Sequence, residues 1–227
     1  MKKIINISFT DFWKDFDPKN NIFTNMLKHI FECEINLTRP RKADICFCSI
    51  YGGLHKKILS KFSEKSILFI GENIRPNLYN YGICLSHDFF DYGGKNIRLP
   101  LWYFEIDWYN TGLGVVQLNE LENKLIKKSN FKADDIQKRK DCITIFNNKE
   151  GTRMEVLKLL SNKISVDGYG KPFKKWFDDG WNYKSKIEIM KDYKFNLCPE
   201  NSLYPGYYCE KLIHAKLAGC IPIYFAD

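Results

Sequence analysis

The chain has 227 residues, of which 44% are hydrophobic and 15% aromatic, and its formal net charge is +8. This length accommodates one large domain or two small ones, with a core that needs no disulfide staples. No apolar run reaches the roughly 18 residues of a membrane span, and the start MKKIINISFT lacks the apolar segment of a secretory signal. The charge suits anionic partners such as nucleotides or acidic membranes, although a solvated lysine-rich face also explains it, and no nucleic-acid-binding module is present.

Eight cysteines are present, and they form no C-x-x-C pair. Many lie in apolar runs such as ADICFCSI, which is typical of free, buried thiols in a reducing compartment. The four histidines are scattered, and none is spaced from a cysteine as in a zinc site. The sequence therefore predicts no metal centre and no obligatory metal cofactor.

Strand-like and helix-like segments alternate through the first part of the chain. The predicted strands are KKIINISF, ECEINLT, ADICFCSIY, KSILFIG, YGICLS and IRLPLWYF, and the predicted helices are NIFTNMLKHIFE and LHKKILSKFS. Such alternation indicates βαβ units and a parallel sheet. This first domain is predicted to span residues 1–105.

Residues 106–140 are polar and strongly charged, and we interpret them as a connector or solvated helix. A second alternating block, predicted as residues 141–227, contains DCITIFNN, the helix TRMEVLKLLSN, the strand KISVDGYG, the helix KSKIEIMKD and a closing α/β stretch. Two α/β domains favour a ligand site in the cleft between them. The dinucleotide-binding pattern G-x-G-x-x-G is absent.

Polar residues follow the apolar strand SILFI, where open parallel sheets bind ligands. Glu72 emerges there in the stretch GENIRPN and has the chemistry of a general base. A turn in which Glu72 caps a helix or pairs with Arg75 explains the same residues.

Two further junctions place a cation near a predicted helix start. Thr152 and Glu155 have the spacing of a capping box, so the helix is predicted to begin at Arg153. Lys211 and Glu210 fall in the first turn of the helix CEKLIHAKLAG. Cations at two helix starts suit a diphosphate, and Glu210 could accept hydrogen bonds from sugar hydroxyls. The alternatives are an exposed Arg153, a solvated Lys211 and a Glu210 that only complements the helix dipole.

The closing stretch YKFNLCPENSLYPGYYCEKLIHAKLAGCIPIYFAD resembles the donor-binding signature of the α-1,3/4-fucosyltransferases, glycosyltransferase family 10. The typical run there is YKFxLxFENS followed by GYxTEKxxxAxxxxxIPIYxG. SILFIGENIRPNLYNYGICLSHDF is similar to the family stretch with G-E-N-x-x-P, and IRLPLWY is similar to R-x-P-L-Y-Y. FNNKEGTR and VDGYGK fall in the expected order, so the resemblance covers most of residues 66–105 and 143–227.

The resemblance implies a GT-B-type α/β fold, in which two Rossmann-like domains face a cleft and bind the acceptor (N-terminal domain) and GDP-fucose (C-terminal domain). It also implies an inverting, metal-independent transfer of L-fucose to a glycan hydroxyl such as O3 of GlcNAc. Glu72 would be the catalytic base, and Arg153 and Lys211 would bind the diphosphate. The remaining residues implied are those of the donor pocket, Glu200, Asn201, Tyr207 and Glu210, and those on the acceptor side, Asn73 and Arg75.

The chain departs from the family pattern at Pro199, Cys209 and Ala226, where the family usually has Phe, Thr and Gly. Family members continue beyond the last strand, so we expect an incomplete C-terminal domain. Use of another nucleotide sugar, or a non-catalytic sugar- or nucleotide-binding remnant, are the alternative functions. The expected location is the cytoplasm, with peripheral contact to the membrane through a basic face and no nucleic-acid partner.

Overall fold

A computed structural model describes residues 2–76, 80–127, 133–149, 151–177 and 183–226. The chain divides into two compact units, a first unit (Met1–Leu113) and a second unit (Gly114–Asp227). The domain boundaries at residues 105 and 140 stay a prediction. Among the described residues, none of the helices combines the length and apolar character needed to cross a bilayer.

The first unit is built on a six-stranded sheet in which every neighbouring pair of strands is parallel. The strand order is β2-β1-β3-β4-β5-β6. The elements are β1 (Ile4–Thr10), α1 (Ile22–Phe31), β2 (Glu34–Leu37), β3 (Ile45–Cys48), α2 (His55–Lys61), β4 (Ser66–Ile70), β5 (Ile83–Ser86), β6 (Asn96–Arg98) and β7 (Ile106–Asp107), with 3-10 turns at Pro40–Lys42, Ser63–Lys65 and Leu101–Glu105.

Helix α1 shows how the sequence builds this unit. The side chain of Asn21 accepts a hydrogen bond from the backbone N–H of Thr24 at 2.9 Å, which satisfies one of the open donors at the helix start. Phe23 and Leu27 then lie on the same face and pack against the buried Ile7 and other sheet residues. The alternating apolar pattern of β1 thus forms one side of the core.

The second unit contains a four-stranded parallel sheet with the order β10-β9-β11-β12. Its elements are β8 (Val116–Gln117), α3 (Ala133–Gln137), β9 (Lys140–Ile145), α4 (Gly151–Ser161), β10 (Val166–Tyr169), α5 (Tyr183–Met190), β11 (Tyr193–Leu197), α6 (Lys211–Ala218) and β12 (Ile221–Ile223), with 3-10 turns at Leu118–Glu120 and Lys171–Phe173 and a π-helical turn at Glu122–Ile126. The predicted α/β class with parallel sheets is confirmed in each unit.

Both sheets place their first strand between their second and third strands. This doubly wound order creates a point at which successive connections run to opposite sides, and ligands of such sheets bind at the carboxyl ends of the strands there. In the first unit that point lies between β1 and β3, and in the second between β9 and β11. All eight cysteines are free and buried, as predicted.

Two local predictions are wrong. The stretch IRLPLWYF is a strand only as far as Arg98, and beyond Pro100 the chain forms the 3-10 turn Leu101–Glu105. Helix α4 begins at Gly151 rather than at Arg153, so Thr152 lies inside the helix and cannot act as its N-cap. The connector predicted at 106–140 contains several short elements among its described residues.

Candidate functional site

The carboxyl ends of β9 and β11 bring together the polar residues of the second unit. Ile143 and Asn196 are partners in the register of these parallel strands, so the segments that follow Ile145 and Leu197 leave the same edge of the sheet. The first segment leads into α4, and the second leads through Glu200 to α6. This edge is the expected ligand position in a doubly wound sheet.

Arg153 lies in the first turn of α4 and is only 3% exposed, so the alternative of an exposed surface arginine is wrong. Its Nη1 donates to the carbonyl of Asn148 at 3.2 Å, and its Nη2 donates to the carbonyl of Pro199 at 3.3 Å and to Oδ1 of Asn201. The guanidinium also stands over the ring of Phe146, 4.9 Å from its centroid. Arg153 therefore connects the segments after β9 and β11.

Glu200 is the centre of a buried hydrogen-bond network and is 5% exposed. Its Oε1 accepts from the backbone N–H of Cys209 at 2.8 Å and from the hydroxyl of Tyr224 at 2.7 Å. Its Oε2 accepts from the ammonium of Lys211, the first residue of α6. The alternative of a solvated Lys211 is wrong, because its ammonium is ion-paired inside the unit.

A second ion pair lies beside the first. Nζ of Lys186, from α5, is 3.5 Å from Oε1 of Glu210, the N-cap residue of α6. Partial burial would raise the pKa of Glu210, but the charges of Lys186, Lys211 and His214 lower it to about 2. The pKa of Lys211 is raised because the neighbouring Glu200 and Glu210 outweigh the opposing effect of burial. At neutral pH this cluster consists of charged, compensating groups.

Lys186 and Tyr224 are members of the cluster that the sequence reasoning missed. Lys186 belongs to a predicted helix, but nothing in that helix shows which residue of another element it contacts. Tyr224 lies directly after β12 in the quoted stretch IPIYFAD. Tyr207, assigned to the donor pocket by resemblance, is 2% exposed. The roles of these residues toward a ligand stay predictions.

In the first unit, Glu72 lies two residues beyond the end of β4 and is half-buried. The backbone N–H of Ile74 donates to the carbonyl of Glu72 at 2.7 Å, which closes a three-residue turn around Asn73. The hydroxyl of Tyr51, which follows β3, donates to Oε1 of Glu72 at 3.2 Å. The carboxylate is thus oriented by a neutral donor and remains partly accessible.

Arg75 forms an ion pair with Asp88, with 3.1 Å between Nη1 and Oδ2. Within the part of the chain that the structure describes, Arg75 and Glu72 form no ion pair. Its Nη2 contacts Oδ1 of Asn73 and Nε2 of His87. Asp88 and His87 follow β5, the neighbour of β4 in the sheet. Neither residue could be identified from the sequence, since their contact with Arg75 depends on the register of β4 and β5.

Two doubly wound parallel α/β units, one of which has the buried Arg153 and the partly buried Lys211 near two of its helix starts, define a class of ligand-binding α/β proteins. Two family models match successive parts of the chain. The Alpha-(1,3)-fucosyltransferase FucT N-terminal domain matches residues 7–105, and the Glycosyltransferase family 10 (fucosyltransferase) C-term matches residues 136–227. The chain belongs to glycosyltransferase family 10, as the motifs predicted.

Relatives and solved structures agree with this assignment. The chain is 25% identical over 245 residues to Alpha-(1,3)-fucosyltransferase FucT of Helicobacter pylori, a match that covers 98% of this chain and 50% of the relative. It is 35% identical over 83 residues to 4-galactosyl-N-acetylglucosaminide 3-alpha-L-fucosyltransferase 9 of Homo sapiens, covering 36% of this chain and 22% of that protein. The chain therefore spans about half the length of its Helicobacter pylori relative, or less of other relatives.

A crystal structure of an α1,3-fucosyltransferase superposes with a TM-score of 0.74 at 25% identity, covering 100% of this chain and 70% of the solved chain. A second solved α1,3-fucosyltransferase, described with GDP-fucose, has a TM-score of 0.67 at 24% identity. These similarities confirm the fold class that the resemblance implied.

Proposed function

We propose that the chain transfers L-fucose from GDP-fucose to a hydroxyl of a glycan, with O3 of GlcNAc as the expected position. The observation that carries the proposal is the buried cluster after β9 and β11, in which Arg153, Glu200 and Lys211 meet at the expected ligand edge. Membership of family 10 and the solved relative described with GDP-fucose support the choice of donor.

The proposed reaction is a single displacement at C1 of fucose. The acceptor oxygen forms a bond to C1 while the bond from C1 to the phosphate oxygen breaks, and the electron pair of that bond leaves with GDP. The acceptor proton passes to the carboxylate of Glu72. This carboxylate already accepts a hydrogen bond from the hydroxyl of Tyr51 and would then accept the proton as well. Arg153 and Lys211 stabilise the negative charge that develops on the diphosphate.

Features of the first unit support a glycan as acceptor. A cavity of about 320 Å³ opens beside the carboxyl end of β1, and the residues that line it include Thr10, Asp11, Phe12 and Trp13. Aromatic faces together with hydroxyl and carboxylate groups are the side chains that bind sugar rings, because they match apolar C–H faces and polar hydroxyls. The half-buried Glu72 follows another strand of the same sheet.

The proposed mechanism uses the two cations and no divalent metal. Among the described residues, no three or more His, Cys, Asp or Glu side chains come together as a metal site. We expect transfer to continue in excess EDTA at the untreated rate, measured as GDP release. Loss of transfer that Mn²⁺ or Mg²⁺ restores would show that a metal takes part.

A donor panel tests the proposal. The melting temperature of the chain should rise with GDP and GDP-fucose and change less with GDP-mannose or UDP-sugars, because only binding to the folded state stabilises it. A larger shift with another sugar nucleotide would favour the alternative donor. Binding of GDP-fucose without any transfer to a lactosamine acceptor would favour the non-catalytic alternative.

We also propose a cytoplasmic location with contact to anionic membranes. The formal net charge of +8 supports this, since basic surfaces are attracted to anionic lipids. The chain should co-float with vesicles that contain phosphatidylglycerol at low salt and not with pure phosphatidylcholine vesicles. Equal behaviour with both vesicles would contradict the proposed contact.

A further inference from the structure

We propose that Arg75 is a positioning residue, which fixes the turn carrying Glu72 by linking Asn73 to the rigid segment after β5. The resemblance alone had placed Arg75 and Asn73 on the acceptor side. This inference rests on the proposed function, in which Glu72 is the base. It assigns to Arg75 a contribution to the rate of the chemical step rather than to acceptor binding.

Asn73 is the residue of the Glu72 turn whose position depends on Arg75. The hydrogen bond from Ile74 N–H to the Glu72 carbonyl fixes the two ends of the turn, and Ile74 packs against the core cluster of β3, β4 and β5. Asn73 is the central residue, and its side-chain oxygen accepts from Nη2 of Arg75. A movement of Asn73 would rotate the adjacent peptide and displace the Glu72 side chain.

Arg75 reaches from this turn to two consecutive residues of the next strand's end. Nη1 is 3.1 Å from Oδ2 of Asp88, and Nη2 is 2.8 Å from Nε2 of His87. For the second contact to be a hydrogen bond, Nε2 must accept, so the imidazole must be neutral. Burial and the charge of Arg75 lower the pKa of His87 to about 4, which agrees with a neutral ring.

Asp88 is a rigid support for this link, because it is 1% exposed and anchored from several directions. Its carboxylate accepts from the hydroxyl of Tyr92 at 2.7 Å and from the backbone N–H of Phe90 at 3.2 Å. Its carbonyl accepts from the side chain of Asn96, the first residue of β6. Burial would raise the pKa of Asp88, but these hydrogen bonds and Arg75 hold it below its ordinary value.

The two terminal nitrogens of Arg75 are therefore both engaged with acceptors of the protein on two neighbouring strand ends. The planar fork of Arg75 thus joins two segments of one unit, the Glu72 turn and the segment after β5. A base must lie within hydrogen-bond reach of the acceptor hydroxyl, and a displacement near 1 Å costs on the order of 100-fold in rate. A residue that holds the Glu72 turn in place can therefore affect the rate of transfer without contacting the substrate.

The test is a double-mutant cycle between Glu72 and Arg75 in the full chain. Arg75→Gln should lower kcat for fucose transfer roughly 10–100-fold, with GDP-fucose affinity and acceptor KM within about twofold of wild type. Arg75→Lys should recover part of the loss, because a lysine keeps the ion pair with Asp88. In the Glu72→Gln background, Arg75→Gln should add less than about a twofold loss, since the base it positions is gone.

The control is Lys65→Met, which removes a cation of the same unit at the opposite end of β4. Nζ of Lys65 donates to the carbonyl of Ala43 at 2.5 Å, so the variant loses a comparable loop contact away from the Glu72 turn. Its transfer rate should equal that of the wild type. If Arg75→Gln does not fold, as judged by its melting curve, the cycle is run with Arg75→Lys, for which the same non-additivity is expected.

Two results would overturn the inference: a higher acceptor KM at unchanged kcat, which marks a substrate-binding arginine, or fully additive losses in the double variant. Wild-type turnover of Glu72→Gln alone would instead remove the base assignment on which both proposals depend. The failure of the positioning role and the failure of the proposed mechanism are therefore read from different variants.

Discussion

Both units place a glutamate shortly after a buried parallel strand, but the two carboxylates have opposite surroundings. Glu72, after β4, is half-buried and accepts one hydrogen bond of 3.2 Å from the neutral hydroxyl of Tyr51. Glu200, after β11, is 5% exposed, accepts from Cys209 and Tyr224, and is ion-paired with Lys211. A carboxylate that must take up a proton has to be accessible, whereas a buried and paired carboxylate organises the groups around it.

The largest expected effect separates these two glutamates. Glu72→Gln should lower the rate of fucose transfer by roughly 10²–10⁴, because the proposed base is lost while the side-chain shape is kept. Its affinity for GDP-fucose should remain near that of the wild type, since the proposed donor contacts belong to the second unit. Transfer rates and calorimetric affinities of the same preparations provide the measurement.

Glu200→Gln is the matched comparison and should show the reverse pattern. Glu200→Gln removes the carboxylate that is ion-paired with Lys211 inside the unit, and breaking such a pair typically costs about 3–5 kcal/mol. The melting temperature and GDP affinity should therefore fall together. Near-wild-type turnover in Glu72→Gln, or a loss of donor binding in proportion to its loss of activity, would move the base assignment to another carboxylate.

The next effect concerns the cations of the second unit. Arg153→Ala and Lys211→Ala should each weaken GDP binding by about 1.5–3 kcal/mol, because each would remove a proposed charged hydrogen bond to the diphosphate. Arg153→Lys keeps the charge without the planar fork and should bind GDP with intermediate affinity. Lys194→Ala is the control, and its GDP affinity should equal that of the wild type. Lys194 lies at the amino end of β11, away from the proposed donor site, and its Nζ is 3.3 Å from Oδ1 of Asp141 in β9. Unchanged GDP affinity in both alanine variants would refute the assignment.

A smaller effect is expected at His87, which contacts Arg75 beside the Glu72 turn. It concerns the pH dependence of the free energy of unfolding. His87 is 2% exposed, and burial, Arg75 and Arg98 lower its pKa from 6.5 to about 4 although Asp88 opposes them. As the pH falls below 6.5, His87 of the unfolded chain binds a proton that the buried His87 of the folded chain does not. The free energy of unfolding therefore decreases as the pH falls from 6.5 toward 4. Between pH 7.5 and pH 5 the loss is about 2 kcal/mol.

His87→Gln removes this titration and leaves a side-chain oxygen that can accept from Arg75. Urea unfolding at the two pH values should show a loss for the wild type that exceeds the loss for His87→Gln by about 2 kcal/mol. Other titrating groups contribute to both proteins and cancel in the difference. An equal pH dependence in the two proteins would show that His87 is not held neutral.

The smallest effect is expected at Cys209, where the family usually has Thr. Cys209 contacts Glu200 through its backbone N–H, which every residue except proline provides. Cys209→Thr should therefore change GDP-fucose affinity by less than about 1 kcal/mol, measured by calorimetry. A larger gain in affinity would show that the missing hydroxyl limits donor binding in this chain.

The same contrast shows what the sequence could reveal. Apolar runs such as SILFI and YKFNL predicted β4 and β11, and the polar residues after them marked both candidate edges, because strand ends are visible as a change in local composition. Gly219 is the last residue of the predicted helix CEKLIHAKLAG, and it ends α6 with a φ of 70°, which glycine adopts without a Cβ penalty. Signals of this kind depend on neighbours in the chain.

Contacts between distant segments could not be predicted in the same way. Asp88 and Lys186 were not singled out, because their partners Arg75 and Glu210 meet them only through the sheet register and the packing of α5 on α6. The family resemblance identified Glu200 as a donor-pocket residue, but its position inside an ion pair with Lys211 is a property of the folded unit. The loss of strand structure after Pro100 likewise reflects a local 3-10 turn in an apolar stretch that also suits a strand.

The proposed function is the transfer of fucose from GDP-fucose to a glycan hydroxyl with inversion at C1. ¹H NMR of the purified chain with GDP-fucose and N-acetyllactosamine tests it directly, because the H1 coupling constant of fucose reports the configuration at that carbon. We expect GDP to accumulate together with an α-linked fucosyl product, and we expect Glu72→Gln to form this product far more slowly. An unchanged mixture, simple hydrolysis of GDP-fucose, or a product with the donor's β configuration would contradict it.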